Sequence, residues 1–331
     1  MCSSDLSKPS KTEKKNRKLL AAAEGGDLEK CRWRLTPRRF PKKHVTPVDF
    51  RDESERTALH LSSRNKHLEI AKLLLEFNAK VDTMDSTGYT PLQYACRARD
   101  NLVLIKMLVE RKADVCHLAA DGTSVLMEAA HTSHEYVSYL LEHGADPKLA
   151  NKGGQTALHF ACAGGQESLV PVLLELGLEV NAWDRLGVTP LIEAVKAKSN
   201  ATVVALIDAG GDYNVQDAAG RCPLMEAATL GCLDVVRTLT SAGANVELRE
   251  QSGYRAFDIA CEASSEKQES KAQREVALFL DENNAKLREA CLSGDLETAE
   301  ALLEEGLTDR PANVNDVARE TRESPLHLAI V

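Results

Sequence analysis

His131 and His134 stand three residues apart with Glu135 beside them, and on a helix that spacing could bring two imidazoles to one face as zinc ligands. A zinc site needs at least one further protein ligand, and no third is evident. Nine cysteines offer thiol chemistry, yet no two are spaced as a CxxC pair. There is no GxSxG nucleophile turn, no Gly-rich phosphate loop ahead of a lysine, and no paired-carboxylate motif outside surface helices. No catalytic residue, cofactor or metal is therefore expected. What remains is recognition chemistry. Arg, Tyr and Trp are the types enriched where proteins grip one another, and Arg56, Arg64, Tyr89, Arg97, Trp183, Arg185, Arg221 and Tyr254, with His131, Gln155 and Lys196, become candidates once the elements that carry them are known.

Those elements repeat. Leu59, Leu92, Leu126, Leu158, Leu191, Leu224 and Phe257 recur at spacings of 33, 34, 32, 33, 33 and 33 residues. Each sits in a variant of one phrase: TALHLSS from Thr57, TPLQYAC from Thr90, SVLMEAA from Ser124, TALHFAC from Thr156, TPLIEAV from Thr189, CPLMEAA from Cys222 and RAFDIAC from Arg255. The Thr can cap a helix, and Pro suits the first turn, where its missing N–H has no intrahelical partner. Small residues three and four places after the anchor, as at Ala95 and Cys96, allow helix backbones to approach. Cys96, Cys162, Cys261 and Cys291 fall at such positions and Cys222 replaces a Thr, so these thiols are read as small buried hydrophobes. A glycine precedes six of the seven anchors by four residues, at Gly88, Gly122, Gly154, Gly187, Gly220 and Gly253, where a turn needs backbone freedom.

The phrase, its period of about 33 residues and endings such as HGADP at His143 and AGANV at Ala242 resemble the ankyrin repeat. The resemblance implies an all-α solenoid of helix–turn–helix units with hairpin or turn fingers, each unit burying its apolar faces only against its neighbours. It implies that His60, His159 and His327 tie neighbouring fingers by hydrogen bonds. His134 takes the usual His position between two helices. It also implies a non-enzymatic protein-binding module, an adaptor or scaffold that uses finger tips and the exposed, concave side of the inner helices. Tip residues then include Arg56, Tyr89, Gln155, Arg185, Arg221 and Tyr254, with Trp183 close by. The inner-helix position five after each anchor holds Arg64, Arg97, His131 and Lys196 among others. Asn181 and Asn214 end segments that resemble the Leu, acidic, apolar, Asn pattern hydroxylated by factor-inhibiting asparaginyl hydroxylase.

Net charge is −9, unevenly placed: residues 1–50 carry 13 Lys and Arg against 6 Asp and Glu, or +7, which leaves −16 for the rest. A basic stripe at Arg64, Arg97 and His131 on an acidic protein would steer an acidic peptide or domain. Nucleic acid is not the expected partner, since the acidic remainder repels phosphate, although KKNRK at Lys14 and RRFPKK at Arg38 keep a nuclear reading open. No run approaches the ~18 apolar residues of a membrane span, and the polar N-terminus has no signal-peptide core. Cytoplasm or nucleus is the expected location.

The expected domain plan has a disordered basic tail over 1–17, an irregular capping helix pair and loop over 18–50, and an array of about seven units over 51–285 with a distorted last unit. A second array should open near Lys286, where LREACLSGDL echoes LLAAAEGGDL at Leu19, and it is cut short at Val331 inside SPLHLAIV. A larger enzyme whose regulatory part this is would present the same sequence.

Overall fold

The computed structural model describes residues 11–36, 46–265 and 271–281. Its helices come in antiparallel pairs: α1 (Lys11–Glu24) with α2 (Leu28–Leu35), α3 (Ala58–Arg64) with α4 (Leu68–Glu76), α5 (Pro91–Arg97) with α6 (Leu102–Glu110), and α7 (Val125–Thr132) with α8 (His134–Glu142). The series continues with α9 (Ala157–Ala163) and α10 (Leu169–Glu175), α11 (Pro190–Lys196) and α12 (Asn200–Asp208), α13 (Pro223–Thr229) and α14 (Leu233–Ser241), then α15 (Ala256–Ser265). These fall into two compact units, one up to Lys152 and one from Gly153.

Several first helices start where the sequence provides a hydroxyl cap. The Thr90 hydroxyl accepts the Gln93 N–H at 3.4 Å and the Ser124 hydroxyl accepts that of Met127 at 3.1 Å. Pro opens α5, α11 and α13. Within each unit successive first helices pack side by side: α3 on α5 and α5 on α7 in one, α9 on α11, α11 on α13 and α13 on α15 in the other. The anchors lie in these seams, with Leu59, Leu92, Leu126, Leu158, Leu191 and Leu224 all at 1% exposure or less. Phe257 departs from the row: it is half-buried, with the Arg255 guanidinium 5.9 Å over its ring.

The fingers are joined tip to tip by main chain. In the first unit Ser86 N–H donates to Ser54 O at 2.9 Å, Ala120 to Thr87 at 3.0 Å and Lys152 to Asp121 at 2.8 Å. In the second, Arg185 donates to Gly153 at 2.7 Å, Ala218 to Leu186 at 2.8 Å and Gln251 to Ala219 at 3.1 Å. This closeness explains Gly88, whose φ is +80° and where a Cβ would meet Ala120 N at 2.6 Å.

One boundary differs from the sequence reading. Residues 11–17, expected as disordered tail, form the first turns of α1, because Asn16 is buried with Leu19, Leu20 and Ala23 on one helical face. In the last unit, expected as distorted, the chain is helical on both sides of residues 266–270. α15 continues to Ser265, and a helical segment at 271–281 buries Val276, Phe279 and Leu280. The expected second array from Lys286, and His327 with it, lies outside the described residues.

Candidate protein-binding surface

The histidines of the repeat phrase do structural work. His60 Nδ1 accepts the Thr57 N–H at 3.0 Å, which leaves the proton on Nε2 to be donated to Tyr89 O at 3.1 Å, on the next finger. His159 does the same between Thr156 and Val188, at 3.2 and 3.1 Å. In the repeat after that of His60, Gln93 is an amide copy of this device: Oε1 accepts the Thr90 N–H at 3.1 Å and Nε2 donates to Thr123 O at 2.8 Å. Burial pushes both imidazole pKa values below the ordinary one, against the pull of the carbonyls they face, so both rings are neutral. His117 adds a tie that the phrase does not encode, Nε2 to Gly88 O at 2.8 Å.

In the first unit three of the candidate residues, Arg64, Tyr89 and Arg97, converge. Arg64, at the end of α3, and Arg97, at the end of α5, line one cavity of about 440 Å³ with Tyr94 and Ala98. Arg64 is exposed and has no ion-pair partner among the described residues. Arg97 lies 5.7 Å from the Tyr89 ring centre, and its Nε is 3.4 Å from Glu128 Oε2. Tyr89 is half-buried and donates its hydroxyl to Glu128 Oε1 at 2.7 Å. Burial raises the Glu128 pKa, while Tyr89 and Arg97 oppose that rise. Tyr94 donates to Asp85 Oδ2 at 2.8 Å, and burial with this bond pushes its phenol up to about 12. Burial works against ionised Asp85, but bonds from Thr87 and Tyr94 prevail and hold its carboxyl below the usual range. Arg56 is not the free tip expected of it: half-buried, it pairs with Asp52 at 2.9 Å. His131 is exposed at the end of α7, and no group of three or more metal-ligating side chains occurs among the described residues.

In the second unit the exposed candidates gather on one finger, where Trp183 and Leu186 are 66% and 65% exposed with exposed Arg185 between them. Tyr254 is exposed on a later finger and Gln155 is half-buried. Lys196 is exposed but pairs with Glu193 at 3.2 Å. Arg221, expected as a tip, is half-buried, bonded to the Thr229 hydroxyl and paired with Glu226 at 3.3 Å and Glu250 at 3.8 Å. Asn181 and Asn214 serve the fingers. Asn181 Oδ1 accepts the Asp212 N–H at 2.8 Å and its Nδ2 donates to Gly210 O at 3.1 Å, while Asn214 Oδ1 accepts the Asn245 N–H at 2.8 Å. Asp49 and Asp82 do likewise in the first unit, each accepting a main-chain N–H at 3.0 Å.

Helix pairs, capped phrases and finger ladders of this kind define an ankyrin-repeat fold, and the comparisons agree. The family model described as ankyrin repeats (3 copies) matches residues 19–119, 102–184 and 180–250, and the chain belongs to that family. It is similar to human SH3 and multiple ankyrin repeat domains protein 2, at 34% identity over 126 residues, 38% of this chain and 7% of that protein. It is also similar to neurogenic locus notch homolog protein 1 of Danio rerio, at 35% identity over 113 residues, 34% of this chain and 5% of that protein. The solved ankyrin repeat domain of human ASB11 superposes with a TM-score of 0.54 at 24% identity, covering 66% of this chain and 97% of that one, a likeness of fold. Ankyrin repeat domains are in general protein–protein interaction modules. No helix among the described residues is long and apolar enough to cross a membrane.

Proposed function

We propose that this chain is a non-enzymatic adaptor or scaffold that binds an acidic protein segment on the inner-helix face of its first unit. The observation that carries the reading is the cavity between Arg64 and Arg97. A free guanidinium and a second one steadied by an aromatic ring and a buried carboxylate present fixed forks to a partner's carboxylates. The exposed Trp183–Arg185–Leu186 finger of the second unit supports a further contact, of the aromatic and arginine type that dominates interface energy. Free, buried cysteines fit a reducing compartment, cytoplasm or nucleus.

Affinity capture with the intact chain, followed by identification of the bound proteins, should yield a partner whose contact segment is acidic. Charge reversal at Arg64 and Arg97 should weaken its binding, with raised salt mimicking the variant. The same reversal at Lys30 and Lys72, on outer helices α2 and α4, should leave it intact. Equal losses from both pairs would refute the inner-face assignment. Asn181 and Asn214 remain candidate hydroxylation sites. The mass gain of one oxygen atom at either asparagine, read by mass spectrometry after incubation with the hydroxylase, would establish it, and unmodified peptides would dismiss it.

A further inference from the structure

A second cationic cavity, of about 450 Å³, lies elsewhere in the first unit. Arg51 comes to it from the finger ahead of α3, Lys80 from the segment after α4, and Arg111 and Lys112 from the end of α6. Asp82 is the one acid that lines it, and its Oδ1 is already accepting the Asp114 N–H at 3.0 Å. Arg111 is anchored through Nη1 to Leu75 O at 3.2 Å, and Arg51 pairs at 3.0 Å with the exposed Glu55. The Lys80 and Lys112 ammonium groups have no side-chain partner among the described residues. Four cations around one small cavity repel one another, and an anion seated among them relieves that repulsion.

Cations at the carbonyl ends of helices are favourable by themselves, and Arg111 and Lys80 need no other reason. Lys112 does. It occupies the left-handed residue that ends a second helix, with φ +69°, where the later repeats carry Gly144, Gly177, Gly210 and Gly243. Those helices end without a cation at that position, and an L side chain there is strained. Lys66 and Lys198 also take a positive φ, so strain alone does not mark a site; what sets Lys112 apart is its place in a cavity with three other cations.

We propose that this cavity binds a compact, multiply phosphorylated ligand of the inositol polyphosphate class. Four cations gathered round one open depression suit clustered phosphates better than the extended track of a nucleic-acid backbone. The same chemistry is offered by a free inositol polyphosphate and by a phosphoinositide headgroup; Met84, 49% exposed on the rim, would meet acyl chains only in the lipid case.

The test is calorimetry of the full chain with inositol hexakisphosphate, alongside co-sedimentation with phosphatidylcholine vesicles with and without phosphatidylinositol bisphosphate. Wild type should bind the free ligand in a salt-sensitive way, and Lys80→Ala and Lys112→Gly should each weaken binding about fivefold. Lys112→Gly should at the same time raise the melting temperature, which separates lost binding from lost fold. Retention on the phosphoinositide vesicles, reduced by Met84→Ser, identifies the lipid as the source; calorimetric binding without retention identifies the soluble ligand. Absence of binding in both arms overturns the proposal, as does binding that Lys80→Ala and Lys112→Gly leave unchanged. Reversal of Arg64 and Arg97 should spare it, and if that variant alone abolishes binding, the anion sits in the other cavity and the proposal falls while the protein-binding surface stands.

Discussion

Arginines recur in both compact units, and Arg221 and Arg255 of the second are used differently from Arg64 and Arg97 of the first, where Arg51 and Arg56 also pair with carboxylates. In the second, Arg221 and Arg255 are drawn into their own carboxylates: Arg221 to Glu226 and Glu250, and Arg255 to Glu247 at 2.9 Å and Asp258 at 3.1 Å. In the first, Arg64 has no partner and Arg97 holds Glu128 by one edge. A self-neutralised arginine stabilises its repeat and has little left for a ligand. An unpartnered one adds nothing to the fold and keeps all its donors for something else. The second unit offers its partner apolar area instead, on Trp183 and Leu186.

The largest effect should be common to both units, because both are built on the same seam. Leu92→Ala in the first and Leu224→Ala in the second, each at 0% exposure, should each cost about 2–5 kcal/mol in urea unfolding. A cost below about 1 kcal/mol in either would mean that its seam relaxes around the cavity, and that the two units are not built alike.

The finger ties come next. His159→Ala strands the Thr156 N–H and the Val188 carbonyl and should cost about 1–3 kcal/mol. His159→Gln should recover most of that, because Gln93 makes the same two bonds in the first unit. The pH dependence follows with a definite sign. His60 and His159 have folded pKa values below the ordinary ~6.5. As pH falls through ~6.5 the unfolded chain takes up protons that the folded rings refuse, so stability is full above that pH and declines below it. Substituting glutamine at both positions should flatten the acid limb of a melting-temperature profile. An unchanged limb would mean that the rings titrate normally.

The period, the Thr and Ser caps, the burial of Cys96, Cys162 and Cys222 and the finger ties of His60 and His159 were legible in the sequence, because each is fixed by spacing within one repeat, whereas Cys261, expected to be buried, is only half-buried in the distorted last unit. The fate of the arginines was not. Arg56 and Arg221 look like free tips until their carboxylates are placed, yet a local signal exists. Asp52, Asp85, Asp184 and Asp217 each accept the main-chain N–H of the residue four places on, at 2.8 to 3.0 Å. That residue is Arg56, Tyr89, Val188 or Arg221, and the bond holds it at the base of its finger, where it is at most half-exposed. Glu128 and Tyr94 could not be found in this way. Glu128 meets Tyr89 across 39 positions of sequence. The Lys80–Lys112 cavity likewise joins the ends of two helices and a finger that no single repeat contains.

The smallest change in stability separates the two arginine sets most sharply. Arg221→Glu with Arg255→Glu places like charges against Glu226, Glu250, Glu247 and Asp258 and should cost about 1 kcal/mol or somewhat more, since these pairs are only partly exposed. Arg64→Glu with Arg97→Glu should cost less, about 0.5–1 kcal/mol, because Arg64 has no ion-pair partner among the described residues and Arg97 holds only one, the buried Glu128, at 3.4 Å. Its effect belongs to association instead. An acidic partner should bind more slowly, with a weaker dependence on salt, while its dissociation changes less. Parallel urea titrations and stopped-flow association on the two double variants would decide the matter. If the first-unit pair proves as destabilising as the second-unit pair, Arg64 and Arg97 are structural residues, and the contrast between the units disappears with the binding surface built on it.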